Sequence, residues 1–125
     1  MQQAIILFAH GSRDPLWHKP IEAVAAAIAA RDADTPVRCA YLELTEPDLP
    51  AAAAELAGLG LDQVAVVPLF LGVGRHVRED LPVLLEGLRQ SHPGTQWRLQ
   101  PPVSEDESLL DLLAVVALNA LESPR

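Results

Sequence analysis

Four short apolar runs alternate with longer stretches of helical patterning, and this alternation leaves the chain very few folds to choose from. The runs are about Gln3 to Ala9, Val37 to Glu43, Gln63 to Phe70 and Thr95 to Gln100. Strand–helix alternation of this kind implies a parallel sheet with right-handed crossovers and helices on both faces. We therefore expect an α/β fold built on an open, parallel, four-stranded sheet. The third run is continuously apolar and rich in valine, as a central strand covered on both faces requires. The fourth is the least apolar, which suits an edge strand, and Pro101-Pro102 stops it.

Local signals divide the rest. An alanine-rich helix is expected from about His18 to Arg31. Thr45-Glu46-Pro47-Asp48 reads as a helix start, with a Thr N-cap, an acidic residue three on and proline in the first turn. That helix ends near Gly58 or Gly60, where glycine can take a left-handed cap. Asp80 can cap a third helix with Pro82 in its first turn, running to about Gln90, before the turn His92-Pro93-Gly94. Ser104-Glu105-Asp106-Glu107 reads as a capping box opening a last helix to about Leu121. Leucine and valine surround most of that helix, with Asp111 and Asn119 as the main polar interruptions. A four-stranded domain has little interior to hide such a helix, so self-association is expected.

The 125 residues fit one domain, 1–125, with no internal repeat or low-complexity linker. A net charge of -8 argues against nucleic acid, whose phosphates favour basic surfaces. No apolar stretch approaches the roughly 18 residues of a membrane span, and no signal peptide is visible. The single Cys39 cannot form an internal disulfide. Its place in an expected strand suggests a buried thiol in a reducing compartment, and hence a cytoplasmic protein with no membrane partner.

The chemistry concentrates where strands end. His10 follows the first run in His10-Gly11-Ser12-Arg13, and His76 follows the third after Leu71-Gly72-Val73-Gly74-Arg75. In an open α/β sheet the carboxyl ends of the strands bind ligands. Two imidazoles there could share a metal ion or a proton-transfer task. The expected second strand ends on Glu43 at the same edge, and two imidazoles with a carboxylate would suit a divalent first-row metal while leaving a position open. Other readings compete. Ser12 could be a nucleophile with His10 as base, although the glycines of a nucleophile elbow are absent. The glycine loop could cradle phosphate, although neither dinucleotide nor Walker spacing is present. His10 could simply cap the next helix, Glu43 could be a solvated strand end, and Glu46 fits a first-turn acid facing a helix dipole. His18 and His92 read as surface residues.

Arg13, Lys19, Arg75 and Arg78 flank the two histidine motifs in an otherwise acidic chain. Such clustering suggests an anionic ligand, since Arg and Lys pair with carboxylates. The plain alternative is salt bridging, for instance of Arg78 with Glu79 or Asp80. Gly72 and Gly74 imply a backbone that approaches something flat or bulky, or merely a tight turn.

Ala9-His10-Gly11-Ser12-Arg13, Leu42-Glu43-Leu44-Thr45-Glu46-Pro47, and Pro68-Leu69-Phe70-Leu71 through Gly74-x-His76-x-x-x-Asp80-Leu81-Pro82 together resemble the small, single-domain sirohydrochlorin chelatases. The resemblance covers nearly the whole chain. It implies a class II chelatase fold, similar to one lobe of the two-lobed members, acting as a homodimer that inserts metal into sirohydrochlorin without ATP. It carries metal binding to His10 and His76, proton acceptance to His10, and macrocycle contact to Leu71, Gly72, Val73, Gly74 and Arg75. Glu43 carries over as an accessory catalytic group less directly, because that position varies in the family. The histidine-rich tail of some relatives is absent, which leaves metal storage unsupported.

The chemistry is consistent with that resemblance. Sirohydrochlorin is a polycarboxylate with pyrrole N–H groups, so insertion must remove protons while delivering the ion. Neutral imidazole can do both, and weak open coordination lets the metal leave for the tetrapyrrole. On this reading Ser12, Arg13 and Arg75, with Arg78 nearby, meet the substrate. No tightly bound cofactor is expected; Co2+, Fe2+ or Ni2+ is a substrate. Two other expectations compete: a non-catalytic metal or tetrapyrrole carrier using the same site, and a hydrolase built on Ser12 in which His76 has no part.

Overall fold

The computed structural model describes residues 2–122. Met1 and residues 123–125, which the single-domain expectation includes, lie outside the described residues. Four strands, β1 (Gln3–Ala9), β2 (Val37–Tyr41), β3 (Gln63–Pro68) and β4 (Gln96–Leu99), form one parallel sheet in the order β2-β1-β3-β4. The helices are α1 (Lys19–Arg31), α2 (Leu49–Gly58), α3 (Arg75–Ser91) and α4 (Glu107–Asn119), with short 3-10 turns at Pro15–His18 and Val103–Glu105. The expected α/β architecture is present, with β4 at an edge. The strand order reverses between β1 and β3, and open α/β sheets bind ligands at the carboxyl ends of strands at such a point.

Period-two alternation sorts the strands into two faces. Ala4, Ile6 and Phe8 of β1, Val64 and Val66 of β3 and Trp97 of β4 are buried together with Leu49, Ala53 and Leu56 of α2 and Leu81, Leu85 and Leu88 of α3. Phe8 meets Phe70 edge-on, with ring centroids 5.9 Å apart. Each such buried aromatic contributes about 1.5–3 kcal/mol of transfer free energy. The opposite face is thinner. Among the described residues α1 is the helix that packs there, chiefly on β2, and it has no fully buried residue. Ile5, Ala65 and Val67 with Ile28 line an open groove on this face.

The element ends depart from the sequence expectations in instructive ways. Strand β2 stops at Tyr41 because Leu44, at φ 64°, turns the chain. Helix α2 starts at Leu49, not beside Thr45, because the Asp48 carboxylate accepts from the Ala51 N–H and caps it. Helix α3 starts at Arg75 after an extended Gly74, so Pro82 lies inside it rather than in its first turn. The stripe Val77, Leu81, Leu84, Leu85 and Leu88 packs on the core continuously past that point. Burial of this stripe outweighs the one backbone bond that proline removes, and Pro82 sits on the exposed side. Asp106 caps α4 through the Leu109 N–H, which displaces the expected Ser104 cap. Cys39 is half-buried rather than buried, because it lies on the thinner face of an edge strand.

Helix α4 is the outlier. Within the described residues its main contact is with the turn that precedes it. Leu112, Leu113, Val115, Val116 and Leu118 are all exposed. None of the described helices is long and apolar enough to cross a membrane.

Candidate active site at the carboxyl edge of the sheet

The strand registers extend beyond the strands and assemble the site. Phe8 pairs with Pro68, so two residues further on His10 and Phe70 lie side by side, with ring centroids 4.4 Å apart. Ala9 pairs with Tyr41, so Gly11 falls opposite Glu43. The ladder continues as single bonds: Leu42 N–H donates to the Ala9 carbonyl (2.8 Å) and Glu43 N–H to the His10 carbonyl (3.0 Å). Gly11, at φ 96°, is where this closeness becomes a sequence requirement, since a Cβ there would strike the Glu43 carbonyl.

Thr45 completes the junction. Its hydroxyl donates to the Ser12 carbonyl (2.7 Å) and accepts from the Ser12 N–H (3.1 Å). The Ser12 hydroxyl in turn accepts from the Asp14 N–H (3.1 Å), which commits it to loop structure. His18, at the end of the first 3-10 turn, places Nε2 3.4 Å from the Thr45 hydroxyl. Its ring packs on Tyr41 at 5.0 Å and Trp17 at 5.7 Å, and its buried Nδ1 has no hydrogen-bond partner. His18 is therefore half-buried in this corner, not a surface residue. Nothing in the sequence marked His18 or Thr45 for this junction. The Phe70 contact could have been read from the strand register alone.

The second loop is different in kind. Leu71 is 67% exposed, and neither Gly72 nor Gly74 has anything within contact distance of a Cβ. Val73 alone packs against the core and anchors the loop. His76 is exposed in the first turn of α3, next to Arg75 and two residues before Arg78. Among the described residues the ion pairs are Arg38–Glu55 and Arg89–Glu86. Arg13, Arg75 and Arg78 enter neither, so the salt-bridge alternative for Arg78 is not realised.

Among the described residues no three His, Cys, Asp or Glu side chains converge as a metal-holding group. The reason is local: Glu43 joins His10 through its backbone while its side chain is exposed, and His76 stands on a helix across an open loop. Beneath the corner, burial pushes the Cys39 thiol above its ordinary pKa, as does the Glu22 charge, while a hydrogen bond with Tyr41 opposes them. The Tyr41 hydroxyl is raised too, first by burial and then by the charges of Cys39 and Glu22.

The family model described as CbiX matches residues 4–118. A sirohydrochlorin cobaltochelatase of Methanosarcina acetivorans is 37% identical over 81 residues, covering 65% of this chain and 62% of that protein. The chain spans about three-fifths of the length of the first curated relatives it matches. The crystal structure of a cobalamin biosynthesis CbiX protein from Marinobacter aquaeolei VT8 superimposes with a TM-score of 0.83 and 37% identity, covering 96% of this chain and 98% of that one. The sirohydrochlorin chelatase SirB from Bacillus subtilis subspecies spizizenii, solved with cobalt, shares the fold with a TM-score of 0.79 and 24% identity. It covers 95% of this chain, which matches 51% of SirB.

Proposed function

Because the chain belongs to the CbiX family, we propose that it inserts a divalent metal, Co2+ or Fe2+, into sirohydrochlorin without ATP. The observation that carries this reading is the carboxyl edge itself, which bears both histidine loops and three arginines, Arg13, Arg75 and Arg78, that enter no ion pair among the described residues. Metal arrives as a substrate, and Ni2+ is a further candidate. His10 and His76 hold it on one side of the macrocycle. A two-histidine hold leaves most of the coordination sphere free, so the ion transfers readily to the tetrapyrrole nitrogens. The pyrrole protons pass to His10, aided by Glu43, as transfer of the metal frees the imidazole lone pair, and then to solvent. The substrate carboxylates pair with Arg13, Arg75 and Arg78. Ser12 shapes the first loop around the substrate, and Leu71 through Gly74 lie against the ring.

On this reading the chain is one chelatase lobe acting in the cytoplasm, in sirohaem or cobalamin synthesis. We further propose a homodimer in which a second copy stands where SirB carries its other half. The exposed leucines of α4 and the open groove over Ile5, Ala65 and Val67 are surfaces of one chain that its own fold leaves uncovered. Exchange of α4 between two copies would bury both. Leu113→Glu is expected to convert the dimer to monomer in sedimentation velocity; an unchanged dimer would remove α4 from the interface.

The test of the activity is the visible absorption of sirohydrochlorin mixed with Co2+ or Fe2+, with and without protein. Insertion should be accelerated, and His10→Ala and His76→Ala should each lose about 10²-fold in rate. Binding without acceleration over the spontaneous rate would identify a carrier instead. Full insertion activity in His76→Ala would remove His76 from the site, whereas its loss would count against the Ser12 hydrolase.

A further inference from the structure

The hydrogen bonds around Thr45 fix a proton position that determines what His18 does. A threonine hydroxyl has one proton and two lone pairs. The proton is committed to the Ser12 carbonyl at 2.7 Å, since a carbonyl can only accept. One lone pair takes the Ser12 N–H at 3.1 Å. The remaining partner, His18 Nε2 at 3.4 Å, must therefore donate. His18 thus carries its proton on Nε2 and leaves the buried Nδ1 bare, which agrees with the absence of any partner there.

We infer that His18 is a positioning residue: its Nε2–H saturates the Thr45 hydroxyl and so locks the Ser12 backbone beside the loop that bears Glu43. The chain between them is built to return the ring to this point. Asp14 donates its N–H to the Ser12 hydroxyl and caps the following turn by accepting from the Leu16 N–H at 3.0 Å. That turn ends on His18, whose ring is held against Tyr41 and Trp17. Thr45 bonds both backbone groups of Ser12, two residues from His10, and the His10 carbonyl is already held by Glu43. Loss of the third bond leaves the hydroxyl free to rotate away from the Ser12 carbonyl and loosens the His10 end of the site. His18 touches neither metal nor tetrapyrrole in this scheme, which rests for its catalytic consequence on the proposed metal insertion.

The test uses two amides that differ in reach. His18→Gln places an N–H near the Nε2 position, whereas His18→Asn places one near Nδ1, short of Thr45. With sirohydrochlorin and Co2+, Asn is expected to lower kcat about tenfold with KM changed less than twofold, the scale of losing a supporting partner of a ligand. Gln should restore kcat to within about threefold of the wild type. Thr45→Ser should behave as wild type, and Thr45→Val, which removes both bonds to Ser12 as well, should lose more than His18→Asn. Two readouts are independent of activity: imidazole 15N–1H correlation of the wild type should give the Nε2–H tautomer, and the Ser12 amide should exchange faster in His18→Asn than in His18→Gln. An Nδ1–H tautomer, or equal kinetics and Ser12 exchange in the Asn and Gln variants, overturns the inference. Should the wild-type protein insert no metal, the proposed function fails while the tautomer and the Ser12 exchange still decide the role of His18.

Discussion

The two loops that flank the carboxyl edge are built on opposite principles. The His10 loop is tied down: its carbonyls and amides are bonded to Glu43 and Thr45, its glycine has no room for a Cβ, and the His10 ring lies on Phe70. The loop before His76 is open, with an exposed Leu71 and two glycines in free space, and it is held to the core through Val73. Under the proposed function, a site that takes a metal and releases it into a large planar ligand would benefit from this division. The fixed side would preorganise a ligand and proton acceptor, and the open side would adapt to the face of the macrocycle.

The largest expected effect that could break this contrast comes from the glycines. Gly11→Ala should destabilise by about 3 kcal/mol or more, since positive φ and a backbone clash act together. Gly72→Ala should be neutral or stabilising by up to about 1 kcal/mol, because its space is open and its φ is not positive. Denaturant unfolding measures both, and similar losses at the two positions would show the loops to be equally constrained. A slower insertion rate in a fully stable Gly72→Ala would sharpen the contrast by assigning that glycine to substrate clearance.

The histidines should divide in the same way. His10→Ala removes a ring contact with Phe70 and should cost about 1 kcal/mol in stability. His76→Ala, on an exposed helical turn, should change stability by less than about 0.5 kcal/mol. Comparable shifts in melting temperature would mean that His76 is packed after all.

The smallest effect lies beneath the tied corner, where Cys39 is raised by burial and the Glu22 charge. The unfolded chain gives up its thiol proton at a lower pH than the folded one. Any contribution of Cys39 to stability is therefore fully present below about pH 8.5 and is lost as pH rises toward its folded value. Cys39→Ser should flatten the alkaline end of the stability profile slightly, and the wild-type thiol should alkylate more slowly than a free cysteine at neutral pH. Alkylation as fast as the free amino acid would show that β2 is more open than its neighbours.

The architecture and the identity of the two loops were legible because they rest on local patterning. Alternating apolar runs and helical segments specify parallel strands with crossovers, and a histidine after a strand falls at the carboxyl edge whatever else happens. The positions of Thr45 and His18 were not legible. Thr45 satisfies a helix-capping pattern, yet Asp48 makes a cap nearer to the helical apolar residues and leaves the threonine to Ser12. The start of α3 was misread for a related reason: burial of Val77 and Leu81 outweighs the local signal of Pro82. The role of Glu43 was not legible either, because a strand end fixes where a residue's backbone lies and not where its exposed side chain goes.

By itself the sequence determined the α/β class, the sheet edge that bears His10 and His76, and the excess of apolar surface on the last helix, since each follows from periodicities of two and 3.6 residues along the chain. Only the tertiary structure decided that His10 leans on Phe70, that Thr45 bonds Ser12 instead of capping a helix, and that α4 stands apart from its own sheet. Those outcomes depend on strand register and on competition between distant partners for the same hydrogen bonds and the same apolar surface, and no local pattern encodes the result of that competition.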